Sequence, residues 1–324
     1  MAEAPIEVPP FVGLPCCVTS TNGVTTAQTF HPAAGSEFPD FFEGRETISC
    51  QRCQKRASWW TMAVHALTTR GTQEFVVPAL LGAKITGFSR PLKLNDTLHV
   101  DLSEVGIPKD ATVLDISYLT TSPGGDDAGV FPVEVHGNRP LRRHSHVFDL
   151  YARPFKPGTN PNPNSETKLS IGVSWIRPSE DVEAWTHLAA ALREFVFGSS
   201  LEACIIPANV AVEMITSVVM TRFVRQFCSG EDTRGFLKDA ATYSYQLKVL
   251  SPMLCDFYEL RRLPDDIRAE LNSLRNVRND MAHRGVPKKP LVREEVGRLL
   301  AGALFGFHFA RFMRSKLPSE LLAD

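Results

Sequence analysis

Toward the C-terminal end of the chain, the segment RNDMAH (278–283) brings together a guanidinium, a carboxamide and an imidazole, at Arg278, Asn279 and His283. Cutting a phosphodiester without a metal requires a group that exchanges a proton near neutrality with a ribose 2′-hydroxyl or with the leaving oxygen. Histidine is the side chain suited to that step. It also requires a fixed cation for the charge gathering on a phosphorane-like transition state, and the arginine fork matches phosphate oxygens. Asn279 can orient either partner. The competing reading is structural: a helix C-terminus where Arg278 and His283 meet the helix dipole favourably and Asn279 caps a turn.

The periodicity predicts a helix that carries these residues from about 264 to 283, stopped by Gly285 and Pro287. Leu271, Leu274, Val277 and Met281 form its apolar stripe. Asn272, Arg275, Asn276, Asn279 and His283 form a polar ridge. On a regular helix Arg278 points about 140° away from His283; the two need not point together, and they could converge across a dimer interface or through fraying near the helix end. Four other helices are expected around it. The first spans 179–198, with Val182, Trp185, Leu188, Ala189, Leu192 and Val196 at helical spacing. The second, 201–227, is apolar on most faces and is expected at the buried centre. The third, 233–260, is expected to kink or divide at Pro252, and the last spans 292–316. Five helices with short connections predict a compact bundle. Glu213 lies in the most apolar of them, where a buried carboxylate needs a cation such as Arg275 or Arg278. Gly302 and Gly306, four apart on the last helix, permit close helix packing.

The N-terminal half has a different texture. Residues 1–45 read as an irregular arm or a few short strands. Between 74 and 177, seven short apolar, β-branched runs (EFVVPALL, KITGFS, DTLHVDL, TVLDISYL, GVFPVEV, HVFDLYA and KLSIGVSWI) are separated by Gly, Pro, Asn and Asp clusters at 122–129 and 156–164. They predict an antiparallel sandwich or barrel over 46–178, followed by a helical domain over 179–324, an α+β chain of two domains. Arg139, Arg142 and Arg143, in HGNRPLRRHSH (136–146), form the best local phosphate-binding patch of this half, or else a solvated loop. Cys50 and Cys53 form a C-x2-C pair, half of a zinc knuckle. The other candidate ligands (Cys16, Cys17, His31 and His65) have no recognisable spacing, so neither metal nor cofactor is expected, with a metal-assisted hydrolase as the competing class.

Lys plus Arg (35) nearly balance Asp plus Glu (36), so no global positive field advertises a nucleic acid, and any RNA contact must use a local patch. Seven scattered cysteines and an N-terminus without a basic and apolar leader pattern predict a reducing, cytoplasmic setting. The most apolar stretches, 205–220 and 301–313, are interrupted by Glu213, and by His308 and Arg311, so no membrane span is expected.

LRNVRNDMAHRG (274–285) resembles the signature of HEPN domains, in which an Arg and a polar residue precede a His near the end of a late bundle helix. Arg278, Asn279 and His283 match it position by position. The resemblance covers about residues 179–316 and includes the helix count. It implies a metal-independent endoribonuclease in which two protomers pair their motifs into one composite cleft and leave a 2′,3′-cyclic phosphate, as in antiviral defence and toxin systems. It also allows a HEPN fold that dimerises or binds a ligand without cutting, with the β-rich domain as sensor. The tyrosine that follows the His in one toxin branch is replaced here by Arg284 and Gly285. The β-rich half resembles no nuclease partner.

Overall fold

The computed structural model describes residues 5–8, 11–13, 18–21, 24–27, 30–32, 38–49, 54–68, 81, 83–121, 130–134, 146–154, 166–177, 181–239 and 241–318. It is a mixed α+β chain with antiparallel sheets in its N-terminal part and helices in its C-terminal part. Two compact units form. One joins residues 1–10 to 82–179, and the other joins 11–81 to 180–324.

The first unit is built from β1 (Ile6–Val8), β8 (Lys84–Lys93), β9 (Thr97–Asp101), β10 (Thr112–Thr121), β11 (Val130–Glu134), β12 (Val147–Pro154) and β13 (Glu166–Ile176). Its four-stranded sheet has the order β1-β8-β13-β10 and its three-stranded sheet the order β11-β12-β9. Six of the seven runs expected to be strands are found as strands. The remaining one, at 74–81, lies outside the described residues except for Leu81, which is helical. Strand period puts Leu169, Ile171, Val173 and Trp175 of β13 on one face. They share a core with Phe88, Val100, Phe148 and Leu150, drawn from both sheets. Inside it the Trp175 Nε1 donates to Thr86 Oγ1 at 3.0 Å, so the buried indole N–H is satisfied.

The second unit contains three short two-stranded pairings, β2 (Phe11–Gly13) with β5 (Phe30–Pro32), β3 (Val18–Thr21) with β4 (Val24–Ala27), and β6 (Thr47–Ser49) with β7 (Arg56–Ser58). It also holds α1 (Phe38–Phe42), α2 (Trp59–Thr68), α3 (Val182–Phe197), α4 (Ile205–Val224), α5 (Gly230–Asp239), α6 (Tyr243–Tyr245), α7 (Ser251–Phe257), α8 (Asp265–Arg284) and α9 (Arg293–Lys316). The helices α1 and α2 fall in stretches read as arm and β-rich domain; both pack on α9. Phe41 and Phe42 of α1 and Trp60 of α2 meet Phe305 edge to face. Aromatic contacts with a distant helix, invisible to local pattern, thus draw this stretch to the bundle.

The buried centre is α9, where the expectation pointed to 201–227. Residues 299–310 are buried without interruption, because α1, α2, α3, α4 and α8 all pack around this helix. By contrast α4 keeps a partly open face with Ile206 and Val218 exposed. By length and composition alone Glu202–Val224 could cross a membrane, with an 18-residue window of mean hydropathy 1.8, but 56% of that window is buried inside the protein. The stretch expected as one helix over 233–260 divides between α5 and α6, and a π-helical turn, Gln246–Leu250, leads into α7 with Pro252 in its first turn. The proline has no N–H to donate and its ring would press on the carbonyl four residues back, so a wider turn before it is the expected accommodation. At the start of α3 the buried Asp181 carboxylate pairs with Arg314, and lies 3.5 Å from Arg311, whose guanidinium also covers the Trp185 ring. This ties the first bundle helix to the end of the last.

Helices α8 and α9 approach closely through Gly302 and Gly306. A Cβ at Gly302 would lie 2.8 Å from Glu270 Cβ; one at Gly306 would lie 2.9 Å from both Leu271 methyls and 3.1 Å from a Val212 methyl. Gly306 is therefore where α4, α8 and α9 meet. Gly306→Val is expected to destabilise the chain by about 1–3 kcal/mol through overpacking, read as a lower urea midpoint at unchanged slope; an unshifted midpoint would mean that the three helices separate at no cost.

Candidate functional site

The α8 helix is buried only over its first half. Ile267, Leu271 and Leu274 enter the core, while Val277 and Met281, expected to continue the stripe, are only half-buried. From Arg275 to Gly285 every residue is half-buried or exposed. The helix is nonetheless regular to Arg284, and it is closed by Gly285 in the left-handed conformation (φ 76°), whose N–H donates to the Met281 carbonyl at 2.8 Å. The stop predicted at Gly285 is where the helix ends.

This regularity fixes the relation between the motif's members. Arg278 and His283 lie about 7.5 Å apart along the axis and about 140° apart around it. The helix is not frayed here, so on one protomer the two side chains leave it in different directions. His283 is exposed, and its imidazole is open to solvent at the helix end. Arg278 is half-buried and donates from Nη1 to Asn279 Oδ1 at 3.1 Å. Asn279 thus orients the arginine rather than the histidine. Arg275 makes the same kind of bond one turn earlier, from Nη2 to Asn276 Oδ1 at 3.1 Å. Asn272 is turned back on its own helix, donating to the Arg268 carbonyl.

Arg278 faces a groove of about 840 Å³ lined otherwise by α4 and the residue that caps it. Val210, Met214 and Val218 contribute apolar surface, Ser217 and Thr221 hydroxyls, Glu213 a carboxylate, and Arg222 and Arg225 two further guanidinium groups. Glu213 therefore shares a groove with Arg278, and it accepts a hydrogen bond from Asn209 Nδ2 at 3.1 Å. It also lies close enough to the buried Tyr243 to act on it. Burial first, and the Glu213 charge second, push the Tyr243 phenol up, and Arg275 works in the opposite direction. The carboxylate expected to need an arginine thus stands in one electrostatic neighbourhood with Arg275 and in one groove with Arg278. Sequence reasoning missed Arg222, Arg225 and Tyr243. The signal for the first two was the sequence RFVR closing an otherwise apolar helix, two cations three residues apart on one side.

Arg139, Arg142 and Arg143 lie outside the described residues, as do Cys50, Cys53, Cys16 and Cys17. His65 sits on α2, half-buried, with its pKa lowered by burial. Among the described residues no group of three or more His, Cys, Asp or Glu is arranged to hold a metal. Cys204 and Cys255 are buried, and desolvation pushes both thiols up to about 12, which keeps them protonated and un-nucleophilic at neutral pH.

Since His283 is exposed at a helix C-terminus, His283→Ala is expected to lower stability by less than about 1 kcal/mol, the size of a dipole contribution. Urea unfolding checks this, and a loss of several kcal/mol would assign the imidazole a structural role instead.

Compared with known proteins, the chain matches no family model, no curated protein and no solved structure.

Proposed function

We propose that this protein is a metal-independent endoribonuclease of the HEPN type, working as a homodimer through its helical bundle. The observation that carries the reading is the placing of Arg278, Asn279 and His283 on the unburied end of α8, with the guanidinium held by Asn279 and turned to an arginine-lined groove. In this reading His283 moves the proton at the 2′-hydroxyl or the leaving oxygen, Arg278 meets the phosphate and its transition-state charge, and Asn279 fixes the arginine. Glu213 and Arg275 support that arrangement from α4 and α8. Because Arg278 and His283 diverge on one helix, the scissile phosphate lies between one protomer's arginine and its partner's histidine. The β-rich unit then recognises a trigger or partner, as a cytoplasmic defence or toxin system requires.

The same divergence favours a second reading, a bundle that dimerises and binds a ligand without cutting. The two are separated by the purified protein incubated with total RNA. Cleavage in the presence of EDTA, with 2′,3′-cyclic phosphate ends, is expected for the wild type, and a loss of at least about 100-fold for His283→Ala, the usual scale of a lost acid–base group. Full activity of that variant, or dependence on a divalent cation, would remove the assignment. Mixed dimers of His283→Ala with Arg278→Ala subunits are expected to recover part of the activity, since one of their two composite sites is intact.

A further inference from the structure

The groove on α4 contains more than the motif accounts for. Its residues form two lengthwise ridges at helical spacing. Val210, Met214, Val218 and Arg222 recur every four residues, and so do Ser217, Thr221 and Arg225 beside them. Each ridge therefore ends in a guanidinium. One ridge is apolar for three successive turns, and the other carries two hydroxyls. Arg278 closes the groove from α8, so three guanidinium groups and one carboxylate line it, with Arg222 set into its wall and Arg225 and Arg278 reaching its surface. From Val210 to Arg225 the groove runs about 22 Å at the helical rise. A surface of this kind is matched by a flexible strand with an anionic edge and a flat, weakly polar edge, so that phosphates meet arginine while ribose and base rest on aliphatic side chains. A smooth acidic peptide would leave the Val210–Met214–Val218 ridge unused. The groove is also continuous with Arg278, the residue that the ribonuclease reading places on the phosphate.

Resting on that reading, we infer that the α4 groove is the track along which single-stranded RNA lies, with the exposed Arg225 holding a phosphate beside the one at Arg278. Arg222 is buried in the groove wall, whereas Arg225 and Val218 are exposed, so the latter two can be changed without disturbing the core.

The test uses the full chain and a short, fluorescently labelled 2′-O-methyl oligonucleotide, which binds but has no free 2′-hydroxyl to attack. Fluorescence anisotropy is followed across a salt series. Arg225→Gln is expected to weaken binding about five-fold and to flatten the plot of log K against log salt by about 0.7, the share of one phosphate contact on a single strand. Val218→Glu, which sets a carboxylate on the apolar ridge, is expected to weaken it about ten-fold or more, with thermal unfolding of both variants unchanged. Wild-type-like binding by both variants, no binding by the wild type, or equal competition from an acidic peptide of the same charge would each overturn the inference. Its failure is distinguishable from that of the ribonuclease reading. Groove-dependent binding without cleavage of unmodified RNA leaves the track and removes the enzyme; cleavage with groove-independent binding does the reverse.

Discussion

The close approach of α8 to α9 governs the rest of the bundle. Gly302 and Gly306 remove the side chains that would hold the two helices apart, and Leu271 fills the space left at Gly306 together with Val212 from α4. Interiors are packed to the density of organic crystals, so a contact of this kind sets a helix position to within a few tenths of an ångström. It anchors α8 at its first half only, through Ile267, Leu271 and Leu274, and leaves the last three turns of the helix at the surface. The polar end of α8 is therefore held by a rigid stem but is not buried by it. Such an arrangement presents side chains accurately while keeping them accessible.

Charge is distributed with the same economy. The buried Asp181 carboxylate has two arginines beside it, hydrogen-bonded to Arg314 and 3.5 Å from Arg311, which also stacks on Trp185, so the start of α3 is tied to the end of α9 by charge. At the end of α4, Arg222 and Arg225 line a groove, the first buried in its wall and the second exposed. A chain that is almost neutral overall thus gathers three arginines and a glutamate at one groove.

The regularity of α8 to its last turn is the feature with the largest consequence for the proposed chemistry. A left-handed glycine cap holds the helix intact through Arg284, and an intact helix keeps the guanidinium and the imidazole on different sides. A single site that used both would draw the second from another copy of the chain, as the proposed reading has it. The bond between Arg278 and Asn279 makes the same division: the carboxamide belongs with the arginine rather than with the imidazole.

The amino-acid sequence by itself determined the local elements. Alternating apolar residues in KLSIGVSWI, the glycine and proline after His283, and the three-and-four spacing of 182–196 each specify their element through neighbours within a turn or a pleat. It also determined which residues could do chemistry, since that depends on side-chain type and spacing on one helix. Only the tertiary structure decided that α9 rather than α4 is the centre, because both are apolar on most faces and burial is settled by what packs around them. It alone drew α1 and α2 into the bundle through rings more than two hundred residues away, and divided 233–260 by a π turn ahead of Pro252. The groove that joins Arg222, Arg225, Glu213 and Arg278 was likewise out of the sequence's reach: its walls come from two helices about fifty residues apart in the chain, and the register between them is set by packing at Gly306 rather than by any local signal.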